Sequence, residues 1–135
     1  MSMIRLAILL ICGWQLAAGA MHAQAQQNRM SAGQADGVLQ FIGCFKDQGD
    51  SFGTKGRDLD GLLIVSETMT NAKCADLCRA GGYRYAGTQV GKQCFCGNAY
   101  GRSGPSPSCN FKCAGHPNEI CGGPWANSVS RIGDR

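Results

Sequence analysis

The chain has few of the residues on which hydrolytic enzymes depend. Two histidines and nine acidic residues occur in 135 positions, and Glu67 and Glu119 are the only glutamates. No Gly-x-Ser-x-Gly sequence surrounds a serine, and neither Gly81-Gly82 nor Gly122-Gly123 is followed by the Lys-Ser/Thr of a phosphate-binding loop. Neither glutamate lies in a sequence context typical of paired glycosidase carboxylates. We therefore expect a protein that is not an enzyme and that uses no cofactor.

Long apolar runs are equally scarce. Residues 6–14 form an apolar run, but it is too short to cross a bilayer, which takes roughly 20 residues. A basic start precedes the run, and small-x-small cleavage sequences follow it at residues 18–20 and 23–25. Residues 1–25 are therefore predicted to be a secretory signal peptide, cleaved near residues 20–25. We expect a secreted protein, extracellular or periplasmic, with no transmembrane segment after cleavage.

The segment that follows has almost no large apolar residue. Residues 26–37 consist mostly of Gln, Ala, Ser and Gly, which bury too little surface to offset the entropy of ordering, so we expect a flexible polar tail. Residues 38–133 are predicted to form one domain. The net charge is +4 and the basic residues are scattered, which argues against nucleic acid as a partner. The oligomeric state is not predicted.

Cysteine is the residue that the chain has in excess. Eight of the nine cysteines lie between Cys44 and Cys121, and the ninth, Cys12, falls in the predicted signal peptide. An even number in a small exported domain predicts about four disulfides. Zinc binding is the competing interpretation, but the x3, x and x3 spacers differ from repeated x2 spacers, so we expect no metal.

Two cysteine pairs have spacings that suit a helix lying on a strand. Cys74 and Cys78 would share a helix face, whereas Cys94 and Cys96 would share a strand face. The separations along the two elements are similar, roughly 6 Å on the helix and roughly 6.6 Å on the strand. We therefore expect two parallel bridges to fasten the helix to the strand.

Apolar runs and the breakers between them predict the order of secondary structure. Residues 71–80 are predicted to be a helix, with Thr70 as its N-cap, Arg79 in its last turn and Gly81-Gly82 at its end. Strands or short apolar segments are expected at residues 38–45, 62–65, 83–90, 93–96 and 128–132, with a turn at Gly91-Lys92. The rest of the C-terminal half is expected to be loop.

Several polar residues in the predicted loops invite a functional interpretation. The acids of loop 46–61 lack the ligand spacing of an EF-hand, so we interpret them as solvated turn residues: Asp47, Asp50, Asp58 and Asp60. His116 lies between two cysteines in a turn-rich segment and is expected to be a surface residue.

Four blocks of sequence occur in a fixed order. They are Phe41-Ile42-Gly43-Cys44-Phe45, Met69-Thr70-x3-Cys74-x3-Cys78, Tyr85-Ala86-Gly87-x6-Cys94-Phe95-Cys96-Gly97-Asn98 and Cys121-Gly122-Gly123-x4-Ser128-Val129. Together they resemble the WSC domain, named for fungal cell-wall integrity and stress-response components, with Phe95 where family members often have Trp. The resemblance implies a small disulfide-rich α+β domain of PAN/apple-like architecture, with one helix packed on a short antiparallel sheet and a loop-rich C-terminal half.

The same resemblance implies a cysteine pairing. Cys74 and Cys78 would pair with the two strand cysteines, crosswise as Cys74 to Cys96 and Cys78 to Cys94. The other four structural cysteines would tie the terminal regions together: Cys44, Cys109, Cys113 and Cys121.

Carbohydrate binding is the function that the resemblance implies, with a cell-wall polysaccharide such as a β-glucan as the partner. A sugar has apolar C–H faces and a rim of hydroxyls, so its site needs an exposed aromatic beside hydrogen-bonding groups. The ligand-binding candidates are Tyr83, Tyr85, Asn98, Tyr100, Trp125 and Asn127, with Gln89 and Arg84 as further rim contacts.

Exposure decides between these candidates. Tyr100, between Asn98 and Gly101, is expected to be the most exposed aromatic, whereas burial in the core is the competing interpretation for Tyr85, Phe95 and Trp125. Strand alternation would place Tyr83 and Tyr85 on one face. The sequence thus predicts a secreted, lectin-like, non-catalytic module, and the alternative is an extracellular protein-protein interaction module of the PAN/apple type.

Overall fold

A computed structural model describes residues 39–133 of the chain. These residues belong to one compact unit. The predicted signal peptide and the predicted polar tail lie outside the described residues.

One helix and seven strands make up the described part of the chain. The helix is α1 (Asn71–Ala80), and the strands are β1 (Gln40–Lys46), β2 (Leu62–Val65), β3 (Tyr85–Gln89), β4 (Gln93–Gly97), β5 (Lys112–Cys113), β6 (His116–Ile120) and β7 (Ala126–Arg131). Five strands form an antiparallel sheet in the order β1-β7-β3-β4-β2, and β5 pairs with β6 in a separate ribbon. The predicted small disulfide-rich α+β fold is confirmed.

The helix begins and ends where its sequence predicts. The Thr70 hydroxyl accepts a hydrogen bond from the Lys73 amide at 3.0 Å, which satisfies one of the free N–H groups of the first turn. Arg79 lies in the last turn, and Gly81 is the C-cap. The face that carries Cys74, Ala75 and Cys78 is buried against β3 and β4.

Two disulfides fasten that face to β4, but in the parallel order and not in the predicted crosswise order. Cys74 is bonded to Cys94 and Cys78 to Cys96. The chain reverses direction at the glycines after α1 and reverses again at the β3-β4 hairpin, so β4 runs in the same direction as the helix. The first cysteine of the helix therefore lies over the first cysteine of the strand.

The other two disulfides hold the parts of the chain that lack long elements. Cys44 on β1 is bonded to Cys109, which brings the segment between β4 and β5 onto the edge of the sheet. Cys113 and Cys121 close the β5-β6 ribbon. The ribbon, Lys112–Cys113 and His116–Ile120, was expected to be loop, because this half of the chain is rich in glycine, proline and asparagine.

The sheet has a hydrophobic cluster on each face. Cys94 and Cys96 point into the cluster beneath the helix, whereas Phe95 points into the opposite cluster with Leu59 and Val129. This confirms the alternation expected for β4. Leu59 packs closely onto β3 because Gly87 has no side chain at the point of contact.

Two acids of loop 46–61 hold this second face together. The Asp58 carboxylate accepts hydrogen bonds at 2.8 Å from the amides of Gly101 and Arg102, and Asp47 pairs with Arg57. Both acids are buried, so the prediction that they are solvated turn residues is wrong. Buried carboxylates need such donors, because desolvation of an unpaired charge is costly.

Candidate functional site at Trp125

An open cavity of about 230 Å³ lies at one end of the sheet, where β3 ends and β7 begins. Trp125 lies at its edge and is 48% exposed, which is unusual for so large an apolar side chain. We call this the Trp125 cavity, and its lining residues are Ser51, Arg57, Gln89, Val90, Gln93, Pro124 and Trp125. The cavity therefore combines one flat aromatic ring with several hydrogen-bonding groups.

The guanidinium of Arg57 supports the indole from one side. Its Cζ atom lies 4.8 Å from the centroid of the Trp125 ring and 4.9 Å from the centroid of the Phe95 ring, so the cation is held between two aromatic faces. Phe95 is fully buried and anchors this stack in the core. Since Arg57 covers one face of the indole, the exposed surface of Trp125 comes from the other face and the ring edge.

Buried polar contacts fix the position of Arg57. Its Nη1 donates to Asp47 Oδ2 at 2.6 Å and to Gln89 Oε1 at 3.3 Å, and Gln89 Nε2 donates to the same Asp47 oxygen at 3.3 Å. The other Asp47 oxygen accepts from the amides of Gln48 and Asp58. A charged pair with this many donors is held in one geometry, and it holds the indole above it in one orientation.

The backbone at the cavity is strained. Val90, with φ 44°, and Trp125, with φ 52°, are the non-glycine residues with positive φ in the described part of the chain, and both line the cavity. The left-handed region is costly for bulky and β-branched side chains, and such residues concentrate at functional sites. A hydrogen bond of 2.8 Å from the Asp47 amide to the Trp125 carbonyl holds the second of these residues in place.

The aromatic candidates are placed differently from the expectation. Trp125, for which burial was the competing interpretation, is more exposed than Tyr100. Tyr100 is half-buried and makes edge contacts with Phe45 and Tyr85, at centroid distances of 5.0 Å and 4.7 Å. The expectation that Tyr100 is the most exposed aromatic is therefore wrong, because it closes the second hydrophobic cluster.

Tyr83 and Tyr85 do not share a face. Tyr83 packs against the cluster beneath the helix, whereas Tyr85 packs against the opposite cluster. Alternation does not extend to Tyr83, because β3 begins only at Tyr85. The two tyrosines therefore cannot act together as one aromatic platform.

The polar side chains that were predicted to contact the sugar rim also lie in different parts of the structure. Gln89 lines the Trp125 cavity, but Asn98 is used elsewhere and accepts a hydrogen bond from the Arg84 amide at 3.1 Å. Asn127 is fully buried on β7 and cannot reach a ligand at the surface in this conformation. Arg84 and Tyr85 line a different cavity, at the opposite end of β3.

The residues considered for catalysis and metal binding have other partners. Glu67 pairs with Lys92 at 2.7 Å, Glu119 accepts a hydrogen bond from Asn71 at 2.8 Å, and His116 is exposed on β6. In the described part of the chain, the one group of three metal-ligating side chains is Cys74, Cys78 and Cys94, whose sulfur atoms lie within 4.8 Å of one another. Each of these sulfurs is in a disulfide, so none is a thiolate ligand.

Sequence reasoning did not find most of the cavity lining. Arg57 lies 32 residues before Gln89, and no local pattern connects them. One local signal was present, because Pro124 and Trp125 follow two glycines, a composition that favours a tight turn at the surface.

Comparison with known proteins identifies the family. The family model described as WSC domain matches residues 41–123. The chain belongs to the WSC domain family. The match covers β1 to the end of the β5-β6 ribbon and includes most of the Trp125 cavity, with Pro124 and Trp125 just beyond it.

Relatives of this WSC domain are larger proteins. The chain is 43% identical over 96 residues to Xylosyltransferase oxt of Drosophila melanogaster, covering 68% of this chain and 10% of that protein. It is 38% identical over 96 residues to Kremen protein 2 of Homo sapiens, covering 68% and 20%. It is 34% identical over 98 residues to a WSC domain-containing protein of Arthroderma benhamiae, covering 70% and 10%. The chain thus spans a fifth or less of each of these relatives.

Four disulfides in a domain of this size are typical of proteins that fold in an oxidising compartment outside the cytosol. Within residues 39–133, no helix has both the length and the hydrophobicity needed to cross a bilayer.

Proposed function

We propose that this WSC domain is a secreted, non-catalytic carbohydrate-binding module that holds a cell-wall polysaccharide such as a β-glucan at the Trp125 cavity. The observation that carries the proposal is the half-exposed indole, supported from below by a buried cation and held on a strained backbone. Secretion is part of the proposal, and it is supported by the signal-peptide pattern of residues 1–25 and by the disulfides.

The chemistry of the cavity suits a sugar ring. The apolar C–H face of a pyranose can stack on the open face of Trp125, since an indole offers a flat apolar surface. Gln93 and Ser51 line the same cavity and supply amide and hydroxyl groups for the hydroxyl rim, whereas the amide of buried Gln89 is engaged by Arg57 and Asp47. Because Arg57 and Asp47 neutralise each other in a buried pair, the site has no net charge that would disfavour a neutral polysaccharide.

The size of the cavity indicates how much of a polymer it contacts. Its volume of about 230 Å³ is below the roughly 300–1,000 Å³ of pockets that enclose a drug-sized ligand. The site therefore suits one or two sugar units of a chain that continues into solvent. Affinity from so small a contact is low, so several binding sites along one polymer would strengthen retention.

A protein partner is the second candidate function. The observation that favours it is Phe52, which is 96% exposed and follows Ser51 at the edge of the same cavity. An exposed aromatic of this kind is typical of protein interaction surfaces. The relative named as a xylosyltransferase is matched over 10% of its length, so we propose no transferase activity for this chain.

Pull-down with insoluble polysaccharides tests the first candidate. The secreted protein is incubated with β-glucan, chitin and cellulose, and the bound fraction is compared between the natural protein, Trp125→Ala and Phe41→Ala. Phe41 is the matched control, because it is also an exposed aromatic, 64% exposed, but lies on β1 outside the cavity lining.

We expect Trp125→Ala to lose most of the retention and Phe41→Ala to keep it. Equal retention of all three proteins would remove Trp125 from the site. No retention on any polysaccharide, together with a co-purified protein that Phe52→Ala releases, would replace the sugar by the protein partner.

A further inference from the structure

A second cavity, of about 290 Å³, lies at the other end of β3 and is lined by Arg84, Tyr85, Arg131 and Ile132. We call it the arginine cavity. Arg131 ends β7, six residues after Trp125, which places the two cavities roughly 20 Å apart along an extended strand. The arginine cavity is therefore separate from the Trp125 cavity.

The backbone positions of both arginines are fixed. Arg131 lies directly opposite Tyr85 in the β3-β7 pairing, so their side chains leave the sheet on the same face. The Arg84 amide donates to Asn98 Oδ1 at 3.1 Å, and the Arg84 carbonyl accepts from the Ile132 amide at 2.9 Å. The site is thus built on strand ends and not on a free loop.

The charge of the cavity is uncompensated within the described residues. The ion pairs among residues 39–133 join Arg57 to Asp47, Arg79 to Asp76, Lys92 to Glu67 and Arg102 to Asp60. None of them includes Arg84 or Arg131. Arg84 and Arg131 both line this cavity, so their positive charges both attract an anion that enters it. The phenol of Tyr85 is a further lining group that can donate a hydrogen bond.

We propose that the arginine cavity binds an oxyanion, namely the carboxylate or sulfate group of an acidic polysaccharide. A guanidinium presents paired N–H donors that match two oxygens of one carboxylate or sulfate, which an amide or a lysine matches less well. The polysaccharide assignment rests on the proposed function, whereas the oxyanion site does not depend on Trp125. Binding at this site is weakened by salt, because both arginines are exposed.

Affinity electrophoresis of the secreted protein tests the proposal. The gels contain dextran sulfate, polygalacturonate or neutral dextran, and the proteins are the natural one, Arg84→Gln/Arg131→Gln, Arg102→Gln and Trp125→Ala. Arg102→Gln is the control for loss of positive charge, because Arg102 is exposed and outside the cavity lining. A parallel NMR titration with sodium sulfate reports on the oxyanion alone.

We expect retardation by both acidic polymers and none by dextran. The double variant removes two exposed charge contacts, whose free energies add, so its affinity should fall on the order of tenfold. Arg102→Gln should change the affinity less than about twofold. The sulfate-induced shifts of Arg84 and Arg131 should be the same in Trp125→Ala as in the natural protein, so a failure of the oxyanion site is distinguishable from a failure of the proposed function.

Two results would overturn the proposal in different parts. Arg102→Gln removes one charge and the double variant removes two, so if Arg102→Gln weakens retardation by half as much on a logarithmic scale, the attraction comes from net charge and the cavity is not a site. If sulfate shifts the resonances of Arg84 and Arg131 but neither polymer is retarded, the oxyanion site stands and the polysaccharide assignment is wrong.

Discussion

The left-handed backbone of Trp125 predicts that glycine is more stable than alanine at this position, which is the reverse of the usual order. Trp125→Ala and Trp125→Gly both remove the indole and its contact with Arg57, so the two variants lose the same side-chain interactions. They differ in the cost of placing residue 125 at φ 52°. The difference in stability between them therefore isolates the backbone strain at the site.

The size of the stability difference between the two variants follows from two opposing contributions. A residue with a Cβ in the left-handed region costs roughly 1–2 kcal/mol that glycine avoids. Glycine loses about 0.4–1 kcal/mol relative to alanine through the greater entropy of the unfolded chain. The glycine variant should therefore be the more stable by about 0.5–1 kcal/mol, which corresponds to a difference in Tm of roughly 2–8 °C in a domain of this size.

Urea or guanidinium unfolding with the disulfides intact, supported by calorimetry, measures this difference. Phe52→Ala and Phe52→Gly form the control pair, because Phe52 is 96% exposed and is not among the residues with positive φ. There alanine should be the more stable variant. If Trp125→Ala is at least as stable as Trp125→Gly, residue 125 is not strained, and the link between strain and the binding site fails.

Three further predictions concern the support of the site. Asp47→Ala leaves the buried Arg57 without its partner, so it should lower the free energy of unfolding, measured with urea, by about 3–5 kcal/mol. Asp76→Ala, which breaks an exposed pair, should lower it by no more than about 1 kcal/mol. Tyr100→Ala removes two edge contacts between aromatic rings and should lower stability by about 1–3 kcal/mol without weakening glycan retention, and Tyr100→Phe should restore the stability. Tryptic cleavage combined with cleavage before Asp76 and after Phe95 separates the four cysteines. Mass spectrometry should then find the linked pairs Cys74 to Cys94 and Cys78 to Cys96, and a peptide linking Cys74 to Cys96 would show that the helix runs against β4.

Local sequence signals were enough to predict the elements around the helix. The Thr70 cap, the glycines after Ala80 and the turn at Gly91 each act within a few residues, and the structure has the helix and the hairpin at those places. The parallel disulfide order was also implied by these signals, since two consecutive reversals of the chain restore its direction. The crosswise pairing implied by the family resemblance is wrong because the helix and β4 run in the same direction.

The binding site was harder to predict because its parts are distant in sequence. Asp47, Arg57, Gln89 and Trp125 meet only after the sheet has formed, and a buried ion pair between the first two leaves no periodic pattern. The exposure of the aromatics also depends on the fold: Tyr100 closes the second hydrophobic cluster, whereas Trp125 lies in the turn before β7 and is exposed. Composition identifies the aromatics, but only the fold determines which of them is exposed.

The most direct test of carbohydrate binding uses the indole of Trp125 as its own reporter. The chain has two tryptophans, and the predicted removal of residues 1–25 takes Trp14 away, so the secreted protein has a single indole. Titration with soluble β-glucan oligosaccharides, followed by tryptophan fluorescence and by the indole N–H resonance, should give a saturable change with one affinity. Oligosaccharide binding detected by calorimetry without any change at Trp125 would contradict the proposed site, and no binding by either method would contradict the proposed ligand.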